Sequence, residues 1–243
     1  MNQRRCVQAV VPVKLLSRSK GRLRPLLTRV ERFALARTML EDVLSALRRV
    51  ETLAGVIVIT ADDEVAAVAR RADAEILIEH ESHGMVSAVM AAARHLQRRG
   101  DATMLVVPAD VPLVTAQDIE TLIDTQHASP AVTLVRAERD GGTNMLLCSP
   151  PEAIPFHFGD NSFARHRQAA LAMGVEPRVL RLKGAGLDID RPEDIVEFLR
   201  TPSDTRTHAW LAANGIPARL RVHREVYACA AGSPETKQAS FIS

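Results

Sequence analysis

Aromatic side chains are nearly missing from this sequence: Phe, Tyr and Trp together make up 3% of its 243 residues. The core must therefore be built from Leu, Val, Ile and Ala, and the stacking platforms that bind single-stranded nucleic acid are lacking. Cysteine is scarce too. Cys6, Cys148 and Cys229 are far apart and odd in number, which fits neither a disulfide framework nor a zinc site and suits a reduced, cytoplasmic setting. Charge of one sign is also lacking, with 31 Lys and Arg against 29 Asp and Glu for a formal net charge of +2. That balance gives no reason to expect a nucleic-acid partner. No apolar run reaches the roughly 18 residues that span a bilayer, and the apolar stretch after the basic N-terminus is broken by Pro12 and Lys14, unlike a signal peptide. A membrane partner is not expected either. GxSxG and Walker loops are absent, so acyl-transfer nucleophiles and ATPase chemistry have no support. His83, His157 and His166 lack metal-ligand spacing and receive no ligand role.

What is present is alternation. Hydrophobic residues at 47% and charged residues at 25% are ordinary for a folded chain. Cys6 to Val13 is short, apolar and β-branched, as a buried strand is. A basic loop with Lys14, Arg18, Lys20, Arg22 and Arg24 follows. Thr28 and Glu31 then form a capping box before an apolar-periodic helix. Gly55–Thr60, Glu75–Glu79 and Met104–Asp110 read as further strands, separated by helices over Asp62–Ala72 and Val86–Arg99. Thr115 caps a helix over Ala116–Thr125, with Asp118 in its first turn. Strands alternating with helices predict an α/β, Rossmann-like, mostly parallel sheet flanked by helices. Ligands bind such sheets beyond the carboxyl ends of the strands, which singles out the loops after Val13, Thr60, Glu79 and Val107.

From Ala131 the pattern becomes two strands joined by a turn through Asp140, Gly141 and Gly142. A Pro-rich loop with Phe156 and Phe158, a helix over Ser162–Gly174 and a strand over Arg178–Leu182 come next. Leu187–Asp190 reads as a strand end before a helix with Pro192 in its first turn. The expected division is one α/β domain over 1–200, an extension over 201–220 and a mobile tail over 221–243.

Transfer of a nucleotidyl group needs a cation to neutralise phosphate charge, basic side chains to hold the triphosphate and an acceptor in line with the α-phosphorus. Asp110, read as the end of an apolar strand, suits a metal ligand, or equally a loop carboxylate capping the next turn. Asp188 and Asp190 are two apart in an extended segment and so face one side. Such a pair is costly without a cation, although Asp190 also suits the cap of the following helix. Lys14, Lys20 and Arg22 suit phosphates or a solvated basic loop. Gly141–Asn144 brings glycines and the Thr143 hydroxyl, and Gly159 and Ser162 lie at a helix start, where free N–H groups receive anions. Read alone, the first is a hairpin turn and the second an ordinary Ser cap.

Five segments together carry a resemblance: VPVKxxxxxKxRL, PADVPL at Pro108–Leu113, RDGGTN at Arg139–Asn144, FGxxSFxRH at Phe158–His166 and LDIDRPEDI at Leu187–Ile195. From about Val10 to Leu199 the chain resembles the CofC/FbiD family of guanylyltransferases in coenzyme F420 biosynthesis, relatives of the MobA-like nucleotidyltransferases. The resemblance implies that GTP and a phosphorylated three-carbon acid combine with release of pyrophosphate. The acids of the family are 2-phospho-L-lactate, phosphoenolpyruvate and 3-phospho-D-glycerate, with a lean here to the last two. It implies Mg2+ on Asp110, Asp188 and Asp190, acid contacts at Thr143, Gly159 and Ser162, and catalytic roles for Lys14, Lys20 and Asp110. Nucleotide contacts are implied at Pro12, Val13, Lys14, Lys20, Gly84 and Pro108. One departure stands out. Where family members often carry a side-chain amide in the nucleotide loop, this chain has Val86 within Gly84–Ala88, leaving guanine contacts to backbone groups or Ser87. Hand-over of a labile product to the next transferase and a homodimer are compatible with the sequence, which shows no interface for either. The alternatives are a MobA-like enzyme with another nucleotide or acceptor, and a non-catalytic nucleotide-binding scaffold.

Overall fold

Alternation decides how the first strand is used. In β1 (Val7–Pro12) the side chains of Val7, Ala9 and Val11 enter one core cluster while Val10 enters another, and all four are buried. A strand covered on both faces belongs in the middle of a helix-flanked sheet. The computed structural model describes residues 7–78, 84–126, 128–139 and 141–231, and places β1 there. The other strands are β2 (Leu53–Thr60), β3 (Glu75–Ile78), β4 (Thr103–Val106), β5 (Ala131–Arg136), β6 (Thr143–Ser149) and β7 (Arg178–Leu180), in the order β3-β2-β1-β4-β6-β5-β7. The pairs β1–β2, β2–β3, β1–β4 and β5–β7 are parallel, and β6 is antiparallel to both β4 and β5. Among the described strands, then, β6 alone runs against the rest, and the expected mostly parallel sheet is found.

Helices cover both faces. One core cluster seats α1 (Arg29–Leu47), α2 (Asp63–Arg71), α4 (Ala116–Ile123), α7 (Pro192–Arg200), α8 (Arg206–Ala213) and the start of α9 (Ile216–Ala231). The other seats α3 (Met85–Arg99) and α5 (Ser162–Ala172). The capping box read at Thr28/Glu31 is formed, and the Thr115 cap proves to be a second one, closed by Asp118. Chain direction across the sheet reverses between β1 and β4: β2 and β3 extend one way and β6, β5 and β7 the other. The loops after β1 and β4 therefore part, and a cleft opens between them.

Three expectations change. The strand reaching Asp110 stops at Val106; Val107 still donates its N–H to Val10 O at 2.9 Å, but Pro108 has no N–H to continue. Asp110 thus lies in a turn beyond the strand. Leu187–Asp190 lies outside the described strands, held by the Ile189 N–H on Asp110 O at 3.0 Å. The chain past Leu220 continues as α9 to Ala231; Leu211, Ile216 and Leu220 are buried in the main core, so the extension packs as part of that domain. Residues 232–243 lie outside the described residues, as do Cys6, Glu79–His83 and Asp140.

A short helix, α6 (Lys183–Gly186), delivers the chain to Asp188. A Cβ on Gly184 would collide with the Leu113 carbonyl oxygen. Gly184→Ala is expected to destabilise the fold by roughly 1–3 kcal/mol, read as a lower urea midpoint. An unchanged midpoint would contradict so close a seat for α6.

Candidate active site

The basic loop after β1 does not wave in solvent. The Leu16 N–H donates to Asp62 Oδ2 at 2.8 Å, anchoring the loop on the residue that caps α2. Two 3-10 turns, Leu16–Arg18 and Gly21–Leu23, then carry Lys20 between them in a left-handed conformation (φ 55°). That turn aims the ammonium across the cleft. Lys20 Nζ donates to Asp110 Oδ2 at 2.7 Å and to Asp190 Oδ1 at 2.8 Å, with only 6% of its side chain exposed. One cation thus ties the loop after β1 to the loop after β4 and to the segment before α7.

Burial by itself would lower the Lys20 pKa, but the charges of Asp110 and Asp190, with their hydrogen bonds, outweigh it and hold the ammonium above the ordinary lysine range. Burial likewise opposes ionisation of Asp190, and Lys20, with Arg22 3.7 Å away, overcomes it and keeps the carboxyl below the usual value. Lys20 and Asp190 thus hold each other in their charged forms. Asp190 is not the cap of α7: Asp194 Oδ2 accepts the N–H groups of Asp190 (3.0 Å) and Arg191 (2.7 Å). That leaves the Asp190 carboxylate facing the cleft. Asp188 lies beside it, with Asn144 Nδ2 3.4 Å from its Oδ1.

Whether magnesium fits can be read from these side chains. Among the described residues no three acidic, His or Cys side chains close into a metal-holding group. The expected three-aspartate set is instead one pair clamped on Lys20 with the third alongside. Magnesium takes one or two protein carboxylates and leaves the rest of its shell to phosphates and water. Asp110 and Asp190 already converge on a cation, so hard oxygen donors of the kind magnesium takes stand together at the cleft. The donor set fits.

The far end of the cleft is built by the β5–β6 turn and the start of α5. The Thr143 N–H donates to Ser162 Oγ at 2.9 Å and the Phe163 N–H to Gly141 O at 3.1 Å, which knits turn and helix together. Gly159 has φ +103°, a conformation costly for a side-chain-bearing residue. Behind them His166, fully buried, contacts Thr143 Oγ1 through Nδ1 (2.9 Å) and accepts the His157 N–H on Nε2 (2.8 Å). Burial, then the charges of His157 and Arg165, push its pKa from 6.5 down to about 4. The folded state therefore refuses a proton that the unfolded chain accepts. The stability this gives is complete above pH 6.5 and is lost as pH falls towards 4, a difference of roughly 3 kcal/mol. His166→Asn lacks it. The gap in urea-unfolding free energy between wild type and variant should shrink by about that much from pH 7 to pH 4; a constant gap would contradict the buried neutral ring.

The cleft measures about 590 Å3, and the residues expected to hold metal, acid and nucleotide line it: Pro12, Val13, Lys14 and Lys20; Gly84, Pro108 and Asp110; Thr143, Gly159, Ser162, Asp188 and Asp190. Met85, Val86 and Ala88 form part of its apolar wall. Ser87 does not line it, so this loop presents apolar side chains and backbone to the cleft. Sequence reasoning missed Asn144, which braces Ala185 O at 2.9 Å as well as Asp188, and it missed Asp194 and His166. Asn144 stood in the quoted GGTN segment. His166 stands one helical turn after Ser162, on the same face of α5.

The fold defines the class. A solved chain of Desulfovibrio desulfuricans G20, described as a nucleotide-diphospho-sugar transferase, superposes with a TM-score of 0.73 at 16% identity, over 90% of this chain and 98% of that one. The architecture is that of an α/β nucleotidyltransferase. Residues 7–225 match the family model described as guanylyl transferase, CofC like, and the chain belongs to that family. A phosphoenolpyruvate guanylyltransferase of Rubrobacter xylanophilus is 38% identical over 79% of this chain and 93% of its own. A 3-phospho-D-glycerate guanylyltransferase of Colwellia psychrerythraea is 34% identical over 76% of this chain and 88% of its own.

Proposed function

We propose that this protein joins GTP to a phosphorylated three-carbon acid, releasing pyrophosphate, as a step of coenzyme F420 biosynthesis, and that phosphoenolpyruvate or 3-phospho-D-glycerate is used in preference to 2-phospho-L-lactate. The observation that carries the reading is the Lys20 clamp on Asp110 and Asp190, in one cleft with the Thr143–Ser162 end. A cationic, carboxylate-backed centre beside a hydroxyl-lined pocket suits a triphosphate meeting a small anion.

A phosphate oxygen of the acid attacks the α-phosphorus of GTP; the bond from that phosphorus to the bridging oxygen breaks, and pyrophosphate leaves. The attacking oxygen is already anionic at neutral pH, so no strong base is needed. Catalysis is then positioning and charge neutralisation. Lys14 and Lys20 hold phosphate oxygens, Thr143, Gly159 and Ser162 hold the acid, and the apolar wall with Val86 seats the nucleoside. Asp110, Asp188 and Asp190 would hold magnesium, which when bound supplies further charge neutralisation at the phosphates.

The test is a competition in which all three acids are offered with GTP and magnesium and the products are identified by mass. A guanosine diphosphate-linked acid is expected, phosphoenolpyruvate or phosphoglycerate dominating over phospholactate. Phospholactate dominance would overturn the preference, and no linked product with any acid would overturn the reading. The choice among the acids turns on one or two pocket contacts, each worth about 1–3 kcal/mol of discrimination where shape alone decides.

A further inference from the structure

Behind the acid-facing end of the cleft runs a chain of hydrogen bonds whose direction is set by one fixed donor. The His157 backbone N–H donates to His166 Nε2 at 2.8 Å. A ring nitrogen that accepts holds no proton, so the neutral ring carries its proton on Nδ1. Thr143 Oγ1 lies 2.9 Å from Nδ1 and receives that proton. Thr143 thus accepts from the protein side, and its own O–H is left to donate elsewhere. Ser162 repeats the arrangement, its Oγ accepting the Thr143 N–H at 2.9 Å. Both hydroxyl residues line the cleft, whereas His166 sits fully buried behind them.

The geometry points to His166 as a positioning residue that turns the Thr143 O–H into the cleft, so that Thr143 and Ser162 form a pair of donors for an anionic oxygen of the acid substrate. The inference rests on the guanylyltransferase reading and adds how the acid end is polarised. Each hydroxyl accepts one bond on the protein side and keeps its O–H unspent, so each can meet the ligand as a donor. A carboxylate or a fully ionised phosphate, which only accepts, can take both O–H groups. The His166 ring also lies edge-on to Phe158, with centroids 5.0 Å apart. The competing account is therefore that His166 merely fills the core.

Steady-state pyrophosphate release, with whichever of the three acids the wild type turns over, separates the two accounts. His166→Leu should raise KM for the acid about ten-fold, the scale of one hydrogen bond to a charged group, and leave KM for GTP within about two-fold. His166→Asn keeps a donor near the Nδ1 position and should recover most of the loss. In a Thr143→Val background, His166→Leu should add nothing further to the acid KM, because its route to the substrate is gone. An unchanged acid KM in an active His166→Leu enzyme, or effects that simply add in the double variant, would overturn the proposal while leaving the guanylyltransferase reading standing. A wild type that turns over none of the acids removes that reading and the proposal together. Nitrogen-15 NMR of the wild-type ring covers the case of variants that do not fold. A neutral Nδ1–H tautomer at pH 6 is expected, and an Nε2–H tautomer or a doubly protonated ring overturns the inference.

Discussion

Asp190→Ala is expected to lower pyrophosphate release from GTP on the order of a thousand-fold, the scale of losing one preorganised charge contact at a reacting centre. The melting temperature should move by no more than a few degrees. The two expectations separate because the Asp190 backbone is held independently of its side chain. Its N–H goes to Asp194, and the neighbouring Ile189 N–H goes to Asp110 O. The carboxylate itself is 39% exposed, so its removal opens no core cavity, and Lys20 keeps Asp110 at 2.7 Å. What disappears is half of the anionic pair that receives a cation. Asp190→Asn, which keeps the shape without the charge, should be nearly as inactive. Near-normal turnover in either variant would sink the assignment of this cleft as the reacting centre.

Lys20→Met should act on stability and turnover together, and its dependence on magnesium is the informative part. In the wild type the ammonium sits between Asp110 and Asp190 and offsets their mutual repulsion. Without it, two carboxylates face each other across the cleft with no cation between. Breaking a fully buried pair costs about 3–5 kcal/mol. Asp110 and Asp190 are 30% and 39% exposed, so solvent screens part of that, and roughly 2 kcal/mol is expected in metal-free buffer. Added magnesium should recover much of this in the variant and raise its melting temperature more than that of the wild type. Turnover should fall by about a hundred-fold or more even with magnesium, because a phosphate-holding cation is gone. A variant whose melting temperature ignores magnesium would count against these carboxylates as the metal-holding group.

Much of the frame was legible beforehand for a local reason. Val7–Val11 alternates two-faced burial within a single strand, and Thr28/Glu31 and Thr115/Asp118 close capping boxes over three residues. Such signals lie within one turn or one pleat. The candidate residues were legible too, because short segments such as GGTN and LDID keep donors and carboxylates together. Less legible were the boundaries that depend on partners. Leu187–Asp190 has the composition of a strand but lies outside the described strands, and Asp190 looks like a cap until Asp194 is seen to take that place.

The sequence by itself determined an α/β sheet covered by helices, the loops that carry its chemistry and the aspartates, lysines and hydroxyls within them. Tertiary structure alone decided how they meet. Lys20 reaches Asp110 and Asp190 across 90 and 170 positions of chain, a meeting set by the divergence of the loops after β1 and β4, on which local periodicity has no hold. The direction of the Thr143 hydroxyl was decided at the same level. It follows from a backbone N–H at His157 that fixes the His166 tautomer, and a backbone donor leaves no mark in the choice of side chains.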